Sequence, residues 1–187
     1  AGDNEMGHRL AARRGLVPMF TARWKGADYI AEMRSRMEQA WKLEGKNPKS
    51  IPLGIQRFLC VTDSKEDGMI YADCARHQMR LASALRRRAE VMDGGMMNEI
   101  PFPDEPPLKE IASNMLIGDC ETIAEKLSKE IRAGQPSHIM FHVQVGGSDQ
   151  VQALNTMEKF ATDIRPMLEK ELGPLKDIGA QLPVTTE

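Results

Sequence analysis

In the segment SHIMFHVQVGG (residues 137–147), His138, Met140, His142 and Gln144 stand at every second position, alternating with Ile139, Phe141, Val143 and Val145. A strand would put the two sets on opposite faces. The aliphatic and aromatic set must pack on helices, so the polar set faces the interior of a curved sheet. Gln144 then lies nearest the carboxyl end of the strand, where α/β folds bind ligands. His138 and His142 would sit about 13 Å apart along the strand, too far for one metal ion, and no metal site is expected. His142 suits a polar pocket residue or a hydrogen-bonded core histidine. Gly146-Gly147 followed by Ser148-Asp149 gives flexible backbone and an N-cap at a helix start, which is either an anion-binding turn or a structural one.

Other candidates lie earlier in the chain. Arg57 falls inside an apolar run, where a charge requires a partner or a ligand, unless it reaches solvent from a strand end; it is taken here as pocket-lining. Arg86, Arg87 and Arg88 read as a solvated helix end that suits the helix dipole. Ala1-Gly2-Asp3-Asn4-Glu5 precedes a short helical segment from His8 to Arg14. Small and polar residues ahead of a helix leave its first N–H groups available to a phosphate, with Asn4 to cap and Arg9 nearby; an ordinary capped helix fits equally.

The elements that must carry these residues alternate in period. Leu16–Phe20 reads as a short strand, and Asp28 opens a helix with Ile30, Met33, Met37, Ala40 and Trp41 on one face. Gly45–Pro52 is turn chemistry and Ile55–Val61 the next strand. Thr62, Asp63 and Ser64 offer N-caps for a helix running to about Arg88. Val91–Pro107 (VMDGGMMNEIPFPDEPP) reads as a long irregular loop of the kind that forms lids. Asp119 caps a helix carrying Ile123, Leu127 and Ile131, stopped by Gly134-Gln135-Pro136. The strand His138–Val145 follows, then a helix with Leu154, Met157, Phe160, Ala161, Ile164 and Leu168 that Pro166 kinks or ends. The expected organisation is a body over 1–173 with the loop 91–107 inserted, and an extended tail over 174–187. Three βα units imply parallel strands with right-handed crossovers, fewer than a closed barrel needs.

At 187 residues, 41% hydrophobic and 28% charged, the chain suits one soluble domain. Its net charge of −2 gives no nucleic-acid signature, although residues 1–50 hold ten Lys+Arg against six Asp+Glu. The three cysteines, Cys60, Cys74 and Cys120, are scattered and form no CxxC, as expected of reduced thiols in the cytoplasm. No run suits a membrane span and the polar N-terminus does not read as a signal peptide. A start at Ala1 fits processing or a piece of a longer protein.

Taken together, AGDNEMGHRLAARRGLVPMF, QRFLCVTDSKEDG, LIGDCETIAEKLSKEIRAG and HIMFHVQVGG resemble the C-terminal half of the bacterial-luciferase-like flavin monooxygenases. The resemblance covers most of residues 1–170, in order and spacing. It implies an α/β fold of the parallel (β/α)8 TIM-barrel type, represented by its C-terminal half. It also implies an enzyme that uses reduced flavin mononucleotide (FMN) and dioxygen to oxygenate an organic substrate through a flavin hydroperoxide. The FMN would come reduced from a separate NAD(P)H-dependent flavin reductase.

On this alignment Ala1-Gly2 ends the fifth strand, and the phosphate turn falls on Gly2, Asp3, Asn4, Glu5 and Gly7. Asn4 stands where a serine is common and Gly7 where luciferase has a threonine. These departures imply either a weaker flavin affinity or a phosphate held mainly by backbone amides and Arg9. His142, Gln144 and Arg57 would line the pocket, and the loop 91–107 would close over it. No catalytic residue is assigned, because the family's tuning histidines and reactive cysteine lie on strands one to four. The missing N-terminal half-barrel is thus an expected partner, and a homo-oligomer is expected; nucleic acid and membrane are not. Two alternatives stand beside this reading: a deazaflavin (F420)-dependent hydride-transfer enzyme on the same barrel, and a non-catalytic barrel subunit.

Overall fold

The structure is a computed structural model and describes residues 4–180; Gly2 and Asp3 lie outside the described residues. Helix α1 (Glu5–Arg14) begins at Asn4, whose side-chain oxygen accepts the Gly7 N–H at 2.8 Å, and ends at Gly15 in the left-handed region. Leu16 N–H returns to Ala11 O at 3.0 Å, so Leu16 completes the helix cap. Strand β1 is accordingly Met19–Thr21, later than the expected Leu16–Phe20. Helix α2 (Ala27–Leu43) buries Ile30, Met33, Met37, Ala40 and Trp41, the face that the periodicity predicts.

Strand β2 (Gly54–Val61) leads to α3 (Lys65–Arg87), capped by Ser64. The segment 91–107, expected to be irregular throughout, contains a small antiparallel hairpin of β3 (Met92–Asp93) and β4 (Met96–Met97) turning at Gly94-Gly95. Helix α4 (Leu108–Asn114) and a further strand, β5 (Leu116–Gly118), follow. Helix α5 (Cys120–Gly134) starts where Asp119 accepts the Thr122 N–H at 2.7 Å. Strand β6 is His138–His142 and stops short of Val145, because Val145 N–H turns back to Ser148 Oγ at 2.9 Å.

The last helical stretch is α6 (Gln150–Lys159), a π-helical turn over Phe160–Ile164, and α7 (Arg165–Leu172). Pro166 has no N–H and its ring crowds the preceding turn. The irregularity it forces is the π turn just before it, rather than a stop.

The main sheet is parallel throughout and centred on β2. β1 and β6 pair with its first half, Thr21 opposite Gln56 and His142 opposite Phe58, while β5 pairs with Leu59–Val61. The two faces of β2 are covered differently. Ile55, Leu59 and Val61 enter the clusters built by α2, α5 and the helices after β6. Phe58 and Cys60 pack instead on Tyr71, Ala75 and Met79 of α3, with Phe102, Ile111 and Met115.

Helix α3 packs on the opposite, concave face against Phe58 and Cys60 and, with α4, connects β2 to the parallel β5; α5 then connects β5 to β6 on the helical side. Among the described residues no helix is long and apolar enough to cross a membrane.

Candidate functional site

Between the concave face and the C-terminal half of α3 lies a cleft of about 600 Å³, in the size range of small-molecule and cofactor sites. Strands contribute Met19, Phe20, Thr21, Gln56, Phe58, Met140 and His142, the loop after β1 contributes Arg23, and α3 contributes Gln78, Met79, Ala82 and Arg86. Alternation along the strands selects these residues, since Thr21, Gln56 and His142 all point away from the helical layer.

The polar side chains on the sheet form a directed row. Thr21 Oγ1 donates to Gln56 Oε1 at 2.5 Å, which leaves the Gln56 amide nitrogen to donate to His142 Nε2. His142 therefore carries its proton on Nδ1 in this network. Its ring stacks on Phe58 with centroids 5.2 Å apart, and burial lowers its pKa below the ordinary histidine value. The row ends in a neutral imidazole near neutral pH.

Tyr71 closes this side of the sheet. Its hydroxyl accepts the Leu59 N–H at 3.1 Å and donates to the His142 carbonyl where β2 and β6 part. Cys60, on the same face, is buried and its thiol is pushed up to about 11, so it remains an unreactive thiol.

Arg57 is placed elsewhere than the sequence suggests. It shares the aliphatic face with Ile55 and Leu59, is 0% exposed, and does not line the cleft. Its guanidinium donates to the carbonyls of Arg23 (2.9 Å), Lys25 (2.8 Å) and Asn114 (2.9 Å) and to Glu130 Oε1 (2.8 Å). Burial pushes the Glu130 carboxyl up to about 7 against the pull of Arg57. The charge found its partner in the helical layer, so Arg57 ties the loop after β1 to α4 and α5.

The remaining candidates separate. Gln144 is exposed beyond the end of β6, with its amide 3.5 Å from Ser148 O. Asn4, Glu5 and Gly7 form the start of α1, and none of them lines the cleft; Glu5 borders a separate hollow with His8, Arg36 and Gln39. Asn4 already uses the Gly7 N–H, while the amides of Glu5 and Met6 have no acceptor within the helix. Gly146-Gly147 forms the turn into α6, with Asp149 accepting from Val151 and Gln152.

Sequence reasoning missed Thr21, Gln56 and Phe58. The signal was present in β2: Ile55, Leu59 and Val61 form an aliphatic row, so Gln56 and Phe58 had to occupy the other face.

The segment 91–107 packs against α3 and does not line the cleft. Phe102 is buried and stacks on Trp24 at 5.0 Å. Arg80 of α3 forms ion pairs with Glu99 and Glu105, and His77 meets Glu99 at 2.8 Å.

This arrangement has relatives. The family model for luciferase-like monooxygenases matches residues 1–135. The chain belongs to that family. Over 164 residues the luciferase-like chain is 29% identical to an uncharacterized protein, y4vJ, of Sinorhizobium fredii, covering 87% of this chain and 47% of that one. Its fold is shared with the monooxygenase RslO1 of Streptomyces bottropensis, at a TM-score of 0.63 and 15% identity, over 89% of this chain and 46% of that one. It is shared too with the oxygenating constituent of 3,6-diketocamphane monooxygenase of Pseudomonas putida, solved in complex with FMN. There the TM-score is 0.54 at 14% identity, over 86% of this chain and 45% of that one. The chain thus spans about half the length of the relatives it matches, and its parallel α/β sheet is a partial barrel of their type.

Proposed function

We propose that this luciferase-like chain forms part of a flavin-dependent monooxygenase that uses reduced FMN and dioxygen to oxygenate an organic substrate. The observation that carries the reading is the cleft itself. A neutral row, Thr21–Gln56–His142, runs between the apolar walls Phe58, Met79 and Met140 on the concave face of the sheet. Those residues fit a flat, largely uncharged ring with a polar edge. FMN, when bound, would supply the electrons that activate dioxygen.

The chain's own residues then have definite tasks. Gln56 and Thr21 fix the orientation and tautomer of His142, which offers a neutral N–H from Nδ1. Phe58, Met79 and Met140 keep water from the reacting groups. The backbone at Gly2, Asp3, Asn4, Glu5 and Gly7 would hold the phosphate, with the amides of Glu5 and Met6 available at the start of α1. Gln144 would stand at the rim, and the 91–107 segment would act as a lid. Arg57 supports the site from behind the sheet and does not touch the ligand. A flavin reductase, the first half of the barrel and a second copy of the assembly are the partners this reading calls for, in the cytoplasm.

Titration of the protein with FMN, oxidised and reduced, tests the proposal, with the deazaflavin F420 as a parallel arm. FMN binding in the micromolar range or tighter is expected. F420 binding in its place would move the activity to hydride transfer. Absence of both, with the circular-dichroism spectrum of a folded protein, would favour a non-catalytic barrel subunit. One observation already leans that way: Asn4 occupies the Gly7 N–H that the phosphate turn would otherwise offer.

A further inference from the structure

We infer that Tyr71 is a positioning residue for His142, tying the last residue of β6 to helix α3 so that its imidazole meets Gln56 on the floor of the cleft. This rests on the monooxygenase reading only in naming a flavin as the ligand that the imidazole serves.

The register of the two strands sets the geometry. Gly54 lies opposite His138 and Phe58 opposite His142, with β2 and β6 parallel. At the near end the His138 N–H donates to the Leu53 carbonyl at 3.2 Å. A parallel ladder repeats its bonds at every second residue, so at the far end the Leu59 N–H and the His142 carbonyl face each other. The Tyr71 hydroxyl bonds to both groups, accepting from Leu59 at 3.1 Å and donating to His142. From Leu59 onward β2 takes β5 as its partner, and β6 ends.

His142 needs such a tether. It is the final residue of its strand, and the chain beyond it leaves the sheet, where Val145 N–H turns back to Ser148 Oγ at 2.9 Å. Strand ends open more readily than strand centres. The ring must nevertheless meet the Gln56 amide and stack on Phe58 at 5.2 Å. Carbonyl and imidazole belong to one residue, so a displaced backbone carries the ring away from the donor that fixes its tautomer.

Tyr71 is built for this task. It is 3% exposed and packs with Phe58, Ala75 and Met79, so its hydroxyl has a fixed place. Two turns further along the same helix, Gln78 and Met79 line the cleft. One hydroxyl thereby joins the roof of the cleft to its floor. Tyr71 itself does not line the cleft, and burial raises its pKa above the ordinary tyrosine range, so it acts through His142 and not on a ligand.

The test is Tyr71→Phe in the 187-residue protein, read first by heteronuclear NMR of the four histidine rings. The His142 signals are identified by their loss in His142→Asn. Phenylalanine keeps the ring in its cluster, and the Leu59 N–H can then close directly on the His142 carbonyl. That spares stability but shifts His142, so the melting temperature should fall by only about 2–4 °C. Ala75→Gly, one turn along the same face of α3, is the control. It should lower the melting temperature by a similar amount through helix propensity and leave the hydroxyl in place. In the parent, His142 should hold one neutral tautomer with its proton on Nδ1. Tyr71→Phe should show exchange between both tautomers, and Ala75→Gly should keep the parent pattern.

A parent ring that already exchanges between tautomers would overturn the proposal. So would an unchanged pattern in Tyr71→Phe, or an equal change in Ala75→Gly. FMN titration of the same proteins forms a second arm. FMN should bind Tyr71→Phe about tenfold more weakly than the parent, and Ala75→Gly within about twofold of it. Equal FMN binding by Tyr71→Phe and the parent, despite a changed tautomer, would remove Tyr71 from the site and overturn its role. If none of the proteins binds FMN while the tautomer pattern holds, the flavin reading fails and the positioning of His142 by Tyr71 stands.

Discussion

The two faces of β2 differ in what their side chains were given to do. Ile55, Arg57, Leu59 and Val61 face a close-packed helical layer, where even the charge of Arg57 is fully enclosed and meets Glu130 and three backbone carbonyls. Gln56 and Phe58, one residue away on the same strand, face a cleft of about 600 Å³ roofed by one helix. The helical face spends its interactions on stability, and the concave face leaves its groups available to a ligand. One charged residue connects them, because Arg57 on the packed face fixes the turn that sets Arg23 on the open one.

The largest effect expected from this contrast is on the packed face. Arg57→Met leaves Glu130 and the carbonyls of Arg23, Lys25 and Asn114 buried without their donor. It should destabilise the protein by about 3–5 kcal/mol in urea denaturation. If the variant loses less than about 1 kcal/mol, the pair is not the anchor described here.

A smaller effect is expected one residue along. Gln56→Ala removes the link between Thr21 and His142 on a face that water reaches, and should cost about 1 kcal/mol of stability. FMN binding should weaken far more than that figure suggests, because His142 loses the donor that fixes its tautomer. An equal loss of stability at positions 56 and 57 would erase the distinction between the faces.

The smallest effect concerns the segment 91–107, which packs on α3 and does not line the cleft. The Glu105 carboxyl is held below its ordinary range by its hydrogen bond from Arg80, and that of Glu99 by His77 and then Arg80. Carboxyls with lowered pKa contribute stability that is present above the ordinary carboxylate range and lost as pH falls through the lowered values. Limited proteolysis within 91–107 should therefore accelerate at acid pH while the rest of the chain holds. Arg80→Ala should show the faster cleavage already at pH 7. A cleavage rate independent of both would mean that these ion pairs do not secure the segment.

Much of this was legible in the residues. The cap candidates Thr62, Asp63 and Ser64 (of which Ser64 caps), the cap at Asp119, the α2 face from Ile30 to Trp41 and the apolar run of β2 gave their elements by local pattern. Other features were not. Strand β5 has three residues, too few for a period to show, and exists because Leu59–Val61 needed a pairing partner. Leu16 and Val17 look like strand, yet the left-handed Gly15 turns Leu16 back onto α1 and the strand begins only at Met19. Of the pocket residues expected, His142 reaches the cleft, while Gln144 lies past the strand end and Arg57 on the wrong face.

By itself the sequence determined the longer elements and their parallel α/β character, which follow from nearest-neighbour chemistry, since caps, periodicity and turn residues act within a few positions; the family showed in the resemblance of whole segments in order and spacing. Only the tertiary structure decided which side of the sheet α3 covers, where Arg57 finds its counter-charge, and that Thr21, Gln56 and His142 form one row. Those depend on contacts between residues such as Arg57 and Glu130, or Gln56 and His142, far apart in the chain. A side chain's face follows from parity, but its partner follows from packing.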